Sequence, residues 1–325
     1  MSRSRLLKYI YTLLLPALAS LLTGCSDKGS TSVDTDVVTD PYPLAVGNYW
    51  EYRLTQSIFV ESNSDSLPDW SLSSTGSQRV SITRTESITG DEAFGVSHHH
   101  VMGYLADPLS ADTTVEVHYL APRGDRILLK GILTTYNTGG FIPFSLDSGA
   151  ERLVARVGAA GSGRYIPLTR LARQLLEPVP AAFSASRLDA LLASDGVVNL
   201  DEFFSYEKDY LFVFNELFKG RHWVSVEAGG VGGVDISQKV TNILPSLSGF
   251  EGPIAEVEMY NTFVDYAASE QYKIRYYYKS GVGIIQAELS DPEFFIWLTL
   301  PNGEILFLGI GRWTVIKELT GYQVK

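Results

Sequence analysis

From Trp50 onward the chain changes chemical character at every second residue. Trp50 and Tyr52 fall on one side of an extended backbone, and Glu51 and Arg53 fall on the other. A two-residue period of this kind marks a strand buried on one face only. The same texture recurs over 78–86, 93–104, 114–120 and 126–136. It resumes over 210–214, 223–227, 234–244, 255–263, 271–278, 283–289, 294–300, 304–310 and 313–319. Turn chemistry punctuates these runs at Gly47-Asn48, Pro122-Arg123-Gly124-Asp125 and Pro301-Asn302-Gly303, and Asn-Gly accepts the positive φ that a tight hairpin needs. The 18 tyrosines and 29 glycines suit many short strands joined tightly. A long antiparallel sheet with bare edges invites aggregation, so it curls or closes. The expected fold is therefore mainly β: a curved antiparallel sheet, half-barrel or sandwich.

Two stretches break the pattern. Residues 56–76 are polar and serine-rich, with Pro68 inside them, and read as a long hairpin loop. Around 165–210 the period becomes helical: Leu168, Leu171, Ala172, Leu175 and Leu176 recur on one face, between Pro167 and Pro178. A second short helix is expected over 187–193, capped by Ser184 or Ser186. This helical insertion would cover the open side of the sheet. The alternative is two β lobes splitting near 150–200, with Gly47-x-x-Trp50 and Gly220-x-x-Trp223 as matching strand openings.

The N-terminus has its own logic. Arg3, Arg5 and Lys8 precede an apolar run from Tyr9 to Leu22, which is shorter than the about 20 residues a spanning helix needs. A basic region, an apolar region and small residues in that order describe an export signal. Leu22-Thr23-Gly24-Cys25 then presents the single cysteine of the chain. The tetrad resembles the lipobox of bacterial lipoproteins, and the resemblance implies a lipidated Cys25 as the new N-terminus. Residues 1–24 would be the signal peptide, 25–40 the lipidated cysteine and its tether, and 41–325 the body. Residues 26–40 are Ser, Thr and Asp with few apolar groups, too little to order themselves. One acyl chain binds membranes marginally and two or more bind stably. Ser26 in place of aspartate, in lipoproteins of enteric type, implies the outer membrane. The chain carries 26 basic against 37 acidic residues, a net charge of −11, so the basic footprint of a nucleic-acid binder is absent.

The opening Pro43-Leu-Ala-Val-Gly-Asn-Tyr-Trp-Glu-Tyr52 and the later Tyr277-Tyr278-Lys279-Ser280-Gly281-Val282-Gly283-Ile284 resemble uncharacterised bacterial secreted and lipid-anchored proteins with PLxxGNxWxY and YYxxGVGxI segments. That resemblance implies a β-rich envelope protein and transfers no active site.

Three constellations bear on chemistry. On a strand His98 and His100 share a face, and a hairpin centred near Leu109 would set His100 opposite His118 and Met102 opposite Glu116. His98, His100, His118 and Glu116 would then converge as ligand types suited to Zn, Cu or Ni. The competing reading is a solvated face that carries imidazoles, and a one-residue slip would scatter the set. Next, 195–203 resembles the latter half of an EF-hand loop, with Asp195, Asn199 and Glu202 in ligand positions. Leu191 and Ala193 stand where oxygen ligands belong, so a helix–turn–helix link capped by Asp201 competes with it. Arg123-Gly124-Asp125 reads as a turn. No Gly-x-Ser-x-Gly elbow, phosphate-cradling loop or His-Glu-x-x-His pattern is present.

The expectation is a non-catalytic envelope module held to the membrane by the lipid on Cys25, with no other cofactor expected. Its aromatic-rich sheet would either enclose an apolar ligand or lipid, or fill its own core and present an aromatic patch to an envelope protein.

Overall fold

The structure, a computed structural model, describes residues 36–62, 68–103, 111–135, 153–157, 164–167, 201–226, 234–264, 269–290, 293–299 and 304–325. The strands are β1 (Val37–Thr39), β2 (Tyr49–Ser62), β3 (Trp70–Ile88), β4 (Asp91–Gly103), β5 (Ala111–Arg123) and β6 (Arg126–Thr135). There follow β7 (Leu153–Val157), β8 (Arg164–Pro167), β9 (Asp201–Phe214), β10 (Glu216–Phe218) and β11 (His222–Val226). The chain ends with β12 (Val234–Leu247), β13 (Phe250–Val264), β14 (Ser269–Lys279), β15 (Gly283–Leu289), β16 (Glu293–Thr299) and β17 (Ile305–Gln323).

Most of these join one antiparallel sheet, ordered β11-β12-β13-β14-β15-β17-β2-β3-β4-β5-β6-β9. The sheet curls until its two end strands lie side by side, giving a nearly closed barrel. The crossover from β17 to β2 ties the C-terminus to the start of the body along a ladder from Tyr49 to Ser62. β16 pairs with the first half of β17 and leads outward to β7 and β8 as a side wing. Gly311 lies under this branch. A Cβ there would sit 2.5 Å from Ile296 Cγ1 and 3.0 Å from Ile58 Cδ1, so only glycine lets β16 settle onto β17.

Alternation decides the inside. Along β2 Trp50, Tyr52, Leu54, Gln56, Ile58 and Val60 are buried, while Glu51, Arg53, Phe59 and Glu61 are exposed. Val80 and Ile82, Val96, Leu120 and Leu129, Tyr276 and Tyr278, Trp313 and Val315 continue the same core around the ring.

One end of the barrel is closed by the N-terminal segment. β1 pairs with β10 in a sheet of its own, and Val38 and Leu217 are wholly buried between them. Tyr42 stacks on Trp50 at 5.6 Å and meets Phe212 edge-on at 5.1 Å. Gly47, at φ +93°, turns the chain into β2, and Asn48 Nδ2 donates to the Pro43 carbonyl. The last residue returns here: Lys325 N donates to Asn48 Oδ1.

Several expectations need correction. Residues 37–39, expected within the disordered tether, form a strand because Val37 and Val38 have β10 to pair with. The expected loop over 56–76 is strand to Ser62 and again from Trp70. Its serines misled the pattern because Ser74 faces inward and is satisfied there: it accepts from Gln56 Nε2 at 2.8 Å and donates to the Gly103 carbonyl at 2.7 Å. Of the helical insertion around 165–210, residues 164–167 and 201–214 are strands, and both expected helices lie outside the described residues. Strands from both sides of the 150–200 stretch enter one sheet, where two lobes had been the alternative.

Candidate functional site

The imidazoles meet inside the barrel. The β4–β5 ladder sets His98 opposite Glu116, Val96 opposite His118 and His100 opposite Thr114. The expected pairing of His100 with His118, and of Met102 with Glu116, is therefore off by four residues. An even displacement keeps every side chain on its own face, so His98, His100, His118 and Glu116 still share one side of the sheet. That side is the interior rather than solvent: the three histidines are 4%, 4% and 1% exposed.

Their contacts are close. The His98 and His118 rings lie 4.1 Å apart and the His98 and His100 rings 6.3 Å apart. His118 Nε2 is 3.4 Å from Glu116 Oε2. Gln78, directly opposite His100 on β3, puts its amide nitrogen 3.0 Å from His100 Nε2 and 3.3 Å from His98 Nδ1. An amide NH2 has two hydrogens to give. One Gln78 side chain therefore lies within hydrogen-bond reach of both imidazoles.

Gln78 is the residue that a search for ligand types passes over. Its signal was available, because Gln78, Val80 and Ile82 share a face by alternation. Two further polar groups line the same wall. Gln56 bonds Ser74 and the Gly103 carbonyl, and Lys317, 2% exposed, holds Nζ 4.5 Å from the Tyr52 ring centroid, a cation–π contact. As arranged this is a hydrogen-bonded network inside an apolar barrel. Among the described residues no three His, Cys, Asp or Glu side chains are placed to hold a metal ion, and two of the imidazole nitrogens already face Gln78.

The remaining sequence candidates are not brought together. Cys25, Asp195 and Asn199 lie outside the described residues. Glu202 stands in β9 opposite Thr134, and Asp201, expected as a helix cap, opens the same strand opposite Thr135. An EF-hand would place its twelfth residue at the start of a helix; here aromatic-rich 203–214 pairs with β6 as strand. Arg123-Gly124-Asp125 is the β5–β6 turn, with Gly124 at φ +63°.

On the outer face one charge cluster is built into the sheet. Lys130, 5% exposed, places Nζ 2.7 Å from Asp91 Oδ2, and Arg123 Nη2 reaches the same oxygen at 2.7 Å. Hydrogen bonds from Lys130 and then Arg123 hold the Asp91 carboxyl below the usual carboxylate range. A second apolar surface is exposed on β2, β16 and β17. Phe59, Phe295, Ile305 and Ile310 lie open there, Phe295 at 56%, and Trp297 packs on Phe307 at 4.9 Å.

No family model matches the chain, and no curated protein matches it. Three solved structures are similar at the level of overall outline. A candidate lipoprotein from Parabacteroides distasonis is 9% identical, with 87% of this chain and 99% of that one covered and a TM-score of 0.31. A candidate exported protein with a YmcC-like fold from Bacteroides fragilis is 8% identical, covering 88% and 99%, at 0.26. A β-barrel-like protein of a domain of unknown function from Brucella abortus is 9% identical, covering 86% and 100%, at 0.30. Likenesses this loose transfer no property to the chain.

Proposed function

We propose that this chain is an envelope lipoprotein of the outer membrane whose barrel is a non-catalytic module for binding a partner protein. The observation that carries the interaction reading is where apolar surface is closed and where it is open. The inner rows are sealed, with Trp50, Ile58, Tyr276, Tyr278 and Trp313 essentially inaccessible, whereas Phe59, Phe295, Ile305 and Ile310 face outward. Large apolar side chains left open on one outer face are the arrangement of a surface that meets another protein. The lipid reading rests on the lipobox-like Leu22-Thr23-Gly24-Cys25.

An apolar ligand is the second reading, and barrel width favours it. Side chains fill an eight-stranded barrel, and the strand path here is longer, from β11 round to β9. Metal held by His98, His100, His118 and Glu116 is the third; it would require Gln78 to release two imidazoles.

Native mass spectrometry of the full-length chain separates them, alongside membrane fractionation of Cys25→Ser. The expected result is a barrel mass bearing only acyl groups, and a Cys25→Ser protein that leaves the membrane fraction. A co-purifying lipid beyond the acyl groups would replace the interaction reading with the carrier. A metal adduct that vanishes in a His98→Ala/His118→Ala variant would replace it with the metal site. Unchanged membrane retention of Cys25→Ser would sink the lipid anchor.

A further inference from the structure

We propose that the outer face shared by β16, β17 and β2 receives a second copy of the same face, so that the protein pairs as a symmetric dimer. The inference rests on the interaction reading above and names the partner. Phe59 and Glu61 point outward on β2, and Ile310 and Arg312 point outward on β17. The β17–β2 ladder sets Ile310 directly opposite Glu61 and Arg312 directly opposite Phe59. These four exposed side chains are the corners of one cross-strand rectangle, about 4.8 Å across the strands and about 6.8 Å along them. The apolar pair holds one diagonal and the charged pair holds the other. Phe295, opposite Ile310 in the β16–β17 ladder, widens the apolar centre, and Phe307 backs it at 6.0 Å.

Such a face is complementary to itself, which is what a two-fold contact requires. Half a turn about the line from Ile310 to Phe59 brings the apolar residues of one copy onto those of the other. The same turn exchanges the two remaining corners, so Arg312 of each copy meets Glu61 of the other and the charges pair twice. A face of one sign would repel its copy, and a wholly apolar face would set no register. Two copies each carrying a net charge of −11 repel at long range, so a stable contact between them has to join opposite charges, as this one does. A bilayer offers apolar surface but no fixed partner for either charge. The face also lies toward the Ser62 end of β2, away from the N-terminal closure at the Tyr49 end.

Disulfide trapping in bacterial envelopes that carry the full-length chain tests this, with the parent chain setting the background from Cys25. Ile310→Cys stands on the apolar diagonal, where two copies bring the same residue together, and mild oxidation should link it into a dimer. Thr75→Cys, exposed on the same side of the sheet in β3, should stay monomeric. Adding Glu61→Arg to Ile310→Cys should cut the linked fraction about tenfold, and adding Arg312→Glu as well should restore it. Restoration would show that charge pairing, and not folding, had been lost. The second copy is overturned if Ile310→Cys stays monomeric, if Thr75→Cys links as readily, or if Glu61→Arg leaves the linked fraction unchanged. An Ile310→Cys chain that links only to a protein of another mass would remove the second copy and keep the interaction reading. A chain that stays monomeric and carries lipid in native mass spectrometry would remove both.

Discussion

Gln78 shows how one residue sets the character of the barrel interior. Without its amide, His98 Nδ1 and His100 Nε2 would be deprived of the donor that both now face. Leaving buried polar groups unmet costs about 1–3 kcal/mol, so Gln78→Leu is expected to lower unfolding free energy by that order in a urea titration. An unchanged midpoint would mean that other groups hold the imidazoles. Asp91 makes a second residue-level prediction. Its folded pKa is depressed, chiefly by the hydrogen bond from Lys130 and next by that from Arg123. The stabilisation it contributes is therefore fully present above the unfolded carboxylate pKa and is lost as pH falls through the lower folded value. Melting temperature should decline on acidification below the usual carboxylate range, and the decline should be shallower in Asp91→Asn. Parallel acid profiles for the two proteins would show that this cluster is not the source.

Among elements, the N-terminal closure is the one whose removal is most informative. Tyr42 is buried against Trp50 and Phe212, and truncating a core aromatic costs about 3–5 kcal/mol. Tyr42→Ala should destabilise by that order and speed amide exchange in 37–39, as followed by mass spectrometry. Protection of those amides equal to that of the parent would mean that β1 holds without it. The elements also show what could be seen from the sequence. Strands such as β2 were legible because burial alternates with solvent at each step, and Trp50, Tyr52, Glu51 and Arg53 all took their expected sides. The first turns of β3 were not, because an inward serine satisfied by Gln56 looks the same in sequence as a loop serine. The histidines were placed on the correct face and in the wrong register, since alternation fixes parity while the pairing itself depends on where the β4–β5 hairpin turns. The inward face of Gln78 was legible by the same alternation, but its partners were not, because they lie on a neighbouring strand.

At the scale of the molecule, about a dozen alternating segments were enough to imply a curled antiparallel sheet, because few other arrangements hide so many edges. Sequence could not show that the ring is joined by β17 returning to β2, or that among the described residues it ends in two unladdered edges. The first depends on pairs as distant in sequence as Gln323 with Tyr49, and the second on which strand edges find a partner, which no single segment records. The N-terminal closure has a further consequence in mechanical terms. Any pull arriving through the first residues of the chain meets a ladder of three residue pairs, Val37 to Thr39 against Phe218 to Glu216. Behind it come the Asp40–Asn215 and Gly281–Asp40 backbone bonds, the Thr39–Ser280 hydrogen bonds, and Tyr42 packed on Trp50 and Phe212. The fourteen-residue β2 and its long ladder with β17 lie farther along the line of load. Under tension the three-pair ladder is the first contact to bear load, and Tyr42 against Trp50 is where that load passes to the barrel.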